Sequence, residues 1–252
     1  MLYTYFDVET SGLDTMNDDV LSFSYMLADE NLRVMRAETL YFWKEGVTKW
    51  SQQAYEVHGL SKEFLRQYAD DYDKNLRKMY IAMSYSALVG FNSGWIGNDG
   101  LIHGFDYSIC KQFLIRNGLY EPKVLEFNDV MRMAGRRIKC TALFDKLGLS
   151  RELAEAYTNV YFGENAVAHN SAYDVVMTAM EFQAMYSAAN KGIDMTYEMD
   201  SSGDSEYKLE FNDEGALLVR DAYTDEVVTI DEFKKANITM FTKMMENPAA
   251  YM

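Results

Sequence analysis

Cysteine, proline and histidine are scarce in this chain: two, two and three residues of 252. Cys110 and Cys140 form no CxxC and no Cys/His spacing, which argues against a structural zinc site and for a reduced compartment. Two prolines leave no material for a long Pro-rich linker. No apolar run approaches the roughly 20 residues of a membrane span. The first residues lack the basic, apolar and small-residue succession of a secretory signal. Basic charge is also short, with 24 Lys and Arg against 39 Asp and Glu and a formal net charge of -15. Such a surface argues against wide, non-specific binding of a nucleic-acid backbone. The expectation is a soluble, cytoplasmic protein with no membrane partner and an oligomeric state that the sequence leaves open.

Hydrophobic residues, at 48%, are enough for a sizeable core, in one large domain or one domain with an appendage. Apolar runs predict strands at Leu2–Val8, Val20–Ala28 and Ala37–Trp43, then Ala87–Phe91 and Val124–Phe127. Helical patterns fall at Gln52–Val57, Tyr72–Met83, Asp106–Asn117, Thr141–Leu147, Glu152–Val160 and Ala172–Asn190. A strand meander followed by alternating strands and helices predicts an α/β fold, a mixed sheet with helices on both faces. Character changes near Lys191-Gly192. Residues 193–252 carry 14 acidic and 5 basic side chains, with short alternating strands "YKLEF", "ALLVR" and "EVVTI" and a helix over Ile230–Met245. This predicts one main domain at 1–192 and a small acidic α+β element at 193–252, serving either as a packing or oligomer contact or as a mimic of nucleic-acid charge.

Three clusters could carry chemistry. In "YFDVETSGLD", Asp7 and Glu9 lie two apart on a strand and share a face, either as solvated charges at its tip or as hard oxygen ligands for Mg²⁺ or Mn²⁺. Thr10, Gly12 and Leu13 beside them read as the lining of a site. In "VAHNSAYDVVMTAMEF", His169 stands five residues before Asp174, as a capping His and a surface Asp, or as a general base above a metal ligand. In "GFDYSICKQFL", Asp106 opens a helix, as a cap or as a fourth carboxylate of the same site.

Taken in order, "FDVETSGL", "VHGLS", "VGFN…GFDYSIC" and "HNSAYD" resemble the successive motifs of the DEDDh-type 3′→5′ exonucleases, the proofreading-like family of ribonuclease-H-like fold. The resemblance spans roughly Leu2 to Ala188; "VLEFNDVMRMA" and "TALFDKLGL" agree with it. It implies a five-stranded mixed sheet and two Mg²⁺ or Mn²⁺ ions held by Asp7, Glu9, Asp106 and Asp174, with His169 as general base. One ion activates water and the other stabilises the leaving oxygen. It further implies that Thr10 hydrogen-bonds the terminal nucleotide, that Leu13 wedges against its base, and that the protein gains stability from metal. The implied substrate is the 3′ end of single-stranded DNA, with RNA trimming or oligoribonucleotide clearance as the alternative. A polymerase or other replication partner is compatible with the resemblance, as is an idle strand-end or polymerase-binding module.

One departure stands out. The insertion "SGWIGNDGLIHG" separates Asn92 from Phe105-Asp106, which leaves Asn92's substrate role open and admits Asp99 in place of Asp106. The insertion reads either as a surface loop or as a lid whose Trp95 stacks on a base. His58 reads as part of a structural turn. The basic cluster Arg132, Arg136, Arg137 and Lys139 reads either as a solvated helix face or as a phosphate contact.

Overall fold

The computed structural model describes residues 1–163, 171–191, 207–211, 217–221 and 227–228, from residue 187 onward by backbone alone. In chain order the elements are β1 (Tyr3–Thr10), β2 (Val20–Ala28), β3 (Val34–Tyr41), α1 (Gln52–His58), α2 (Lys62–Tyr68), α3 (Tyr72–Met83), β4 (Ala87–Gly90), β5 (Trp95–Ile96) and β6 (Ile102–His103). They continue with α4 (Phe105–Arg116), β7 (Glu126–Asp129), α5 (Val130–Met133), α6 (Cys140–Lys146), α7 (Arg151–Phe162), α8 (Ser171–Lys191), β8 (Tyr207–Phe211), β9 (Leu217–Asp221) and β10 (Val227–Val228).

The main sheet has five strands in the order β3-β2-β1-β4-β7. The meander β1–β2–β3 is antiparallel, whereas β4 runs parallel to β1 and β7 parallel to β4. Parallel neighbours need crossover helices, and those helices cover both faces, so β1 is apolar on both sides up to its tip. Its odd residues Tyr3 and Tyr5 pack with Val175, Val176 and Phe182 of α8 and with α6 and α7. Its even residues Phe6 and Val8 pack with Leu76 and Met79 of α3 and with Ile109, Phe113 and Leu114 of α4. Phe182 is fully buried, its ring centroid 5.8 Å from those of both Tyr3 and Tyr5. Burying a side chain of that size stabilises by roughly 3 kcal/mol. A third, smaller cluster of Leu21, Leu60 and Leu65 seats α1 and α2.

The mixed five-stranded sheet flanked by helices matches the expected α/β architecture, with several shifts of detail, among them β7, which starts and ends two residues later than expected because Glu126 to Asp129 pair with β4. β1 runs on through Glu9 to Thr10 because β2 pairs with it over its whole length. β3 starts and ends earlier than its aromatic run suggests, because Val34 already pairs with Ala28 while Phe42, though buried, lies beyond the last ladder pair. α2 has no counterpart in the periodicity: Ser61 caps it by accepting from Phe64 N, but it buries only Leu65, too few apolar positions for a 3.6-residue pattern. The insertion after β4 is a two-stranded hairpin, β5–β6, rather than an irregular loop. Near the C-terminus β8, β9 and β10 form a separate antiparallel sheet, placed close to the expected alternating runs. The expected helix over Ile230–Met245 lies outside the described residues. No helix among the described residues is long and apolar enough to cross a membrane.

Candidate functional site

Strands β1, β4 and β7 are parallel, so their carboxyl ends open on one edge of the sheet, the usual place for a ligand crevice in such sheets. Asp7 and Glu9 sit at the end of β1, on the face that Tyr3 and Tyr5 present to α8. Helix α8 runs back along that face. From Phe182, against Tyr3 and Tyr5, to Asp174 is eight residues, a rise of about 12 Å. From the Tyr3–Tyr5 pair to the Asp7–Glu9 pair is four strand residues, about 13 Å. The two rises match, so the packing that buries Phe182 delivers Asp174 to the paired acids. Oxygen atoms of Asp7, Glu9 and Asp174 lie within 4.8 Å of one another. Ser171, at the start of α8, is tied to β2 by hydroxyl hydrogen bonds with Ser24 at 2.7 Å and Ser22 at 3.2 Å.

Asp106 comes from the opposite layer, in the first turn of α4. That helix starts at Gly104, with φ +120°, where an added Cβ would stand 2.3 Å from Gly94 Cα and 2.5 Å from Ser93 O. Only glycine permits this approach, and it brings the start of α4 against the segment that follows β4. Ser93, itself buried, donates from Oγ to Asp106 Oδ2 at 2.7 Å. Asp106 is outside the 4.8 Å group, yet it acts electrostatically on both Asp7 and Glu9.

These acids repel one another. Burial, then the charges of Asp106, Asp174 and Glu9, holds the Asp7 carboxyl well above the usual carboxylate range. Burial, then Asp174 and Asp106, pushes Glu9 up to about 8. Burial lifts Asp106 to about 6, opposed by the Ser93 hydrogen bond and reinforced by Asp129. A cluster that must take up protons at neutral pH is short of positive charge. Its donors are all carboxylate oxygens on rigid elements, a set suited to a hard divalent cation such as Mg²⁺ or Mn²⁺ and unsuited to a soft one.

Of the other residues singled out in the sequence, Thr10 is buried and its Oγ1 donates to Gly12 O at 2.8 Å. Leu13 is 85% exposed at the turn that follows. Asn92 is exposed with a left-handed backbone, φ 58°. Trp95 is half-exposed on β5, stacked beside His103 at 5.5 Å, and the Arg132 guanidinium carbon lies 3.9 Å from its ring centroid. Its ring is therefore already in contact with protein on β6 and α5. Asp99 lies at the hairpin tip and bonds His103 Nε2 at 3.0 Å, an exposed pair that holds its carboxyl below the usual range; it is Asp106 that acts on Asp7. His58 ends α1, buried, with Nδ1 accepting from Leu60 N. His169 lies outside the described residues.

Two acids escaped the sequence reading. Asp129 ends β7, buried, accepting from Gly94 N and from Arg132 N, and its charge acts on Asp106. Glu181 is fully buried on α8, two turns after Asp174; burial pushes it up to about 8, and Asp174 adds to this. The Cys140 thiol donates to Glu181 at 3.7 Å and is itself pushed up by burial first, then by Glu181, Asp174 and Asp7. The available signal for Glu181 was its place on the apolar stripe of "VVMTAMEF", seven residues and one helical face from Asp174. Asp129 carried the weaker signal of an Asp closing a strand and capping a helix.

No protein-family model matches the chain, and no curated protein matches it. Solved structures do. An exonuclease I from Methylocaldum szegediense aligns at 16% identity and TM-score 0.51, covering 86% of this chain and 50% of that one. E. coli exonuclease I in complex with a dT13 oligonucleotide aligns at 16% identity and TM-score 0.50, covering 76% of this chain and 42% of that one. The fold is ribonuclease-H-like. The chain spans half or less of the length of these structures. Within the ribonuclease-H-like core, β1 supplies Asp7 and Glu9, α4 supplies Asp106 and α8 supplies Asp174.

Proposed function

We propose that the chain is a DEDDh-type, metal-dependent 3′→5′ exonuclease that releases 5′-mononucleotides from single-stranded DNA. The observation that carries this reading is the gathering of Asp7, Glu9 and Asp174 within 4.8 Å, with Asp106 acting on them, at the carboxyl edge of a ribonuclease-H-like sheet. The likeness to structures named exonuclease I, one of them holding a DNA oligonucleotide, supports the same class of substrate.

Asp7, Glu9, Asp106 and Asp174 would hold two Mg²⁺ or Mn²⁺ ions. Such ions supply an activated water and charge stabilisation at the oxygens of an in-line displacement at phosphorus. The chain's own groups do the rest. Asp7, Glu9 and Asp106, crowded into raised proton affinity, would give up their protons as cations arrive. Ser93 Oγ–H favours the ionised form of Asp106. His169, five residues before Asp174, takes the proton from the attacking water. Leu13, exposed beside the acids, wedges against the terminal base. Because the Thr10 hydroxyl proton is already given to Gly12, Thr10 Oγ1 meets the nucleotide only as an acceptor. Asn92 borders the same edge. In this reading residues 193–252, which include the three-stranded β8–β10 sheet, are an acidic accessory element apart from the catalytic domain.

The test is digestion of 3′- and 5′-labelled single-stranded DNA and RNA of matched sequence, with Mg²⁺ or Mn²⁺. Stepwise shortening from the 3′ end is expected, faster on DNA. It should fall by about 10²–10⁴ in His169→Ala and vanish in Asp7→Asn. Shortening from the 5′ end, or an Asp7→Asn protein as active as its parent, would sink the reading; preference for RNA would move the substrate to the oligoribonucleotide alternative.

A further inference from the structure

We propose that the segment from Arg132 to Lys139 is the track on which the phosphates of the nucleic-acid strand lie upstream of the 3′ end being cut. This rests on the function proposed above and adds a second binding surface to it. The chain is strongly acidic, yet between Val130 and Phe144 it has no acid and four cations: Arg132, Arg136, Arg137 and Lys139. All four are exposed. None forms an ion pair with a described residue, whereas Arg36, Arg66, Arg116 and Arg151 each bind an acid. Four cations within eight residues, with no ion pair among the described residues, give a local positive field.

Both ends of the segment lie near the carboxylate site. It begins after Asp129, which accepts from Gly94 N at 3.2 Å beside the Ser93 that donates to Asp106, and it ends at Cys140, whose thiol donates to Glu181 at 3.7 Å and feels the charges of Asp174 and Asp7. The field is therefore placed where a polyanion must approach a cluster of acids that repels it. The first cation is held in place. Arg132 N donates to Asp129 Oδ1 at 3.0 Å, and the guanidinium lies 3.9 Å from the Trp95 ring centroid, on a hairpin that Gly94 N ties to Asp129 Oδ2. The short helix α5 then ends, and Gly135, at φ +70°, turns the chain ahead of Arg136 and Arg137, which lie outside any helix or strand. The insertion after β4 thus braces a cation for a phosphate, and Trp95 contributes through Arg132 as a positioning residue.

The experiment measures anisotropy of labelled dT3 and dT12 on the full chain, with Ca²⁺ replacing Mg²⁺ because its looser coordination slows turnover. Salt is stepped from 50 to 300 mM. The triple variant Arg136→Ser, Arg137→Ser, Lys139→Ser is expected to bind dT12 at least about tenfold more weakly at low salt. It should also flatten the slope of log K against log salt by about 2, at about 0.7 per lost phosphate contact on a single strand. Binding of dT3 should change less than about twofold, and the charge-keeping Arg136→Lys, Arg137→Lys protein should retain the parent slope. An unchanged slope, or equal losses for dT3 and dT12, overturns the proposal. If the parent shortens strands while the triple variant binds dT12 like the parent, only this inference falls. If the parent neither binds nor shortens any strand, it falls together with the proposed function.

Discussion

Glu9→Gln should make the metal-free protein more stable, and should do so only at high pH. The folded-state value of about 8 lies above the ordinary 4.5 for this carboxyl. A raised carboxyl costs nothing below its unfolded value; the cost grows as pH rises from 4.5 to 8 and is complete above 8. Its size follows from the geometry. Two like charges 4.8 Å apart, the limit within which Glu9 lies from Asp174, repel by about 3.5 kcal/mol at an effective dielectric of 20. Water reaches these half-buried groups, which lowers the net relief on neutralising Glu9 to about 2 kcal/mol. For a domain of this size that is a rise in Tm of about 4–8 °C. The assay is a thermal melt in chelator at pH 9 and at pH 5. The variant should melt higher at pH 9 and within about 1 °C of the parent at pH 5, where Glu9 is already protonated in the fold. In Mn²⁺ at a hundredfold over its Kd the parent should gain about 2.7 kcal/mol. The variant, short of a ligand, should gain less, and the order of the two melts should reverse. A variant no more stable than its parent at pH 9 in chelator, or one equally favoured at pH 5, would refute the electrostatic argument.

Two further outcomes follow from the second carboxylate layer. Ser93→Ala removes the 2.7 Å donor to Asp106, a bond worth about 1 kcal/mol. The Asp106 carboxyl should rise above about 6 and the acid limb of the pH–rate profile should move to higher pH, so that activity at pH 6 falls about fivefold relative to pH 8; an unmoved profile would contradict this. Gly104→Ala places a Cβ 2.3 Å from the Gly94 backbone at φ +120°, which should cost at least about 2 kcal/mol and a similar 4–8 °C of Tm, and a variant melting with its parent would show that the start of α4 can shift freely.

The sequence by itself determined the layer architecture and the identity of the clustered acids. β1 is a short apolar run carrying acids at alternate positions, and the period of two puts Asp7 and Glu9 on one face without any tertiary information. α3 carries an Asp71 cap and a clear amphipathic stripe, so its bounds were legible to the residue. Elements that bury little, such as α2 and the β5–β6 hairpin, left no period to read. Convergence was a different matter. That Asp174 meets Asp7 depends on α8 lying back along β1 with Phe182 between Tyr3 and Tyr5, and that Asp106 acts on them depends on a glycine at 104 letting α4 start against Ser93. The raised proton affinities, the buried Glu181 and Asp129, and the lack of ion pairs to the 132–139 cations among the described residues are likewise properties of neighbours distant in the chain. Local pattern fixes which face a side chain takes; only packing decides what that face meets, because burial and Coulomb energy depend on distance in space and not on distance along the chain.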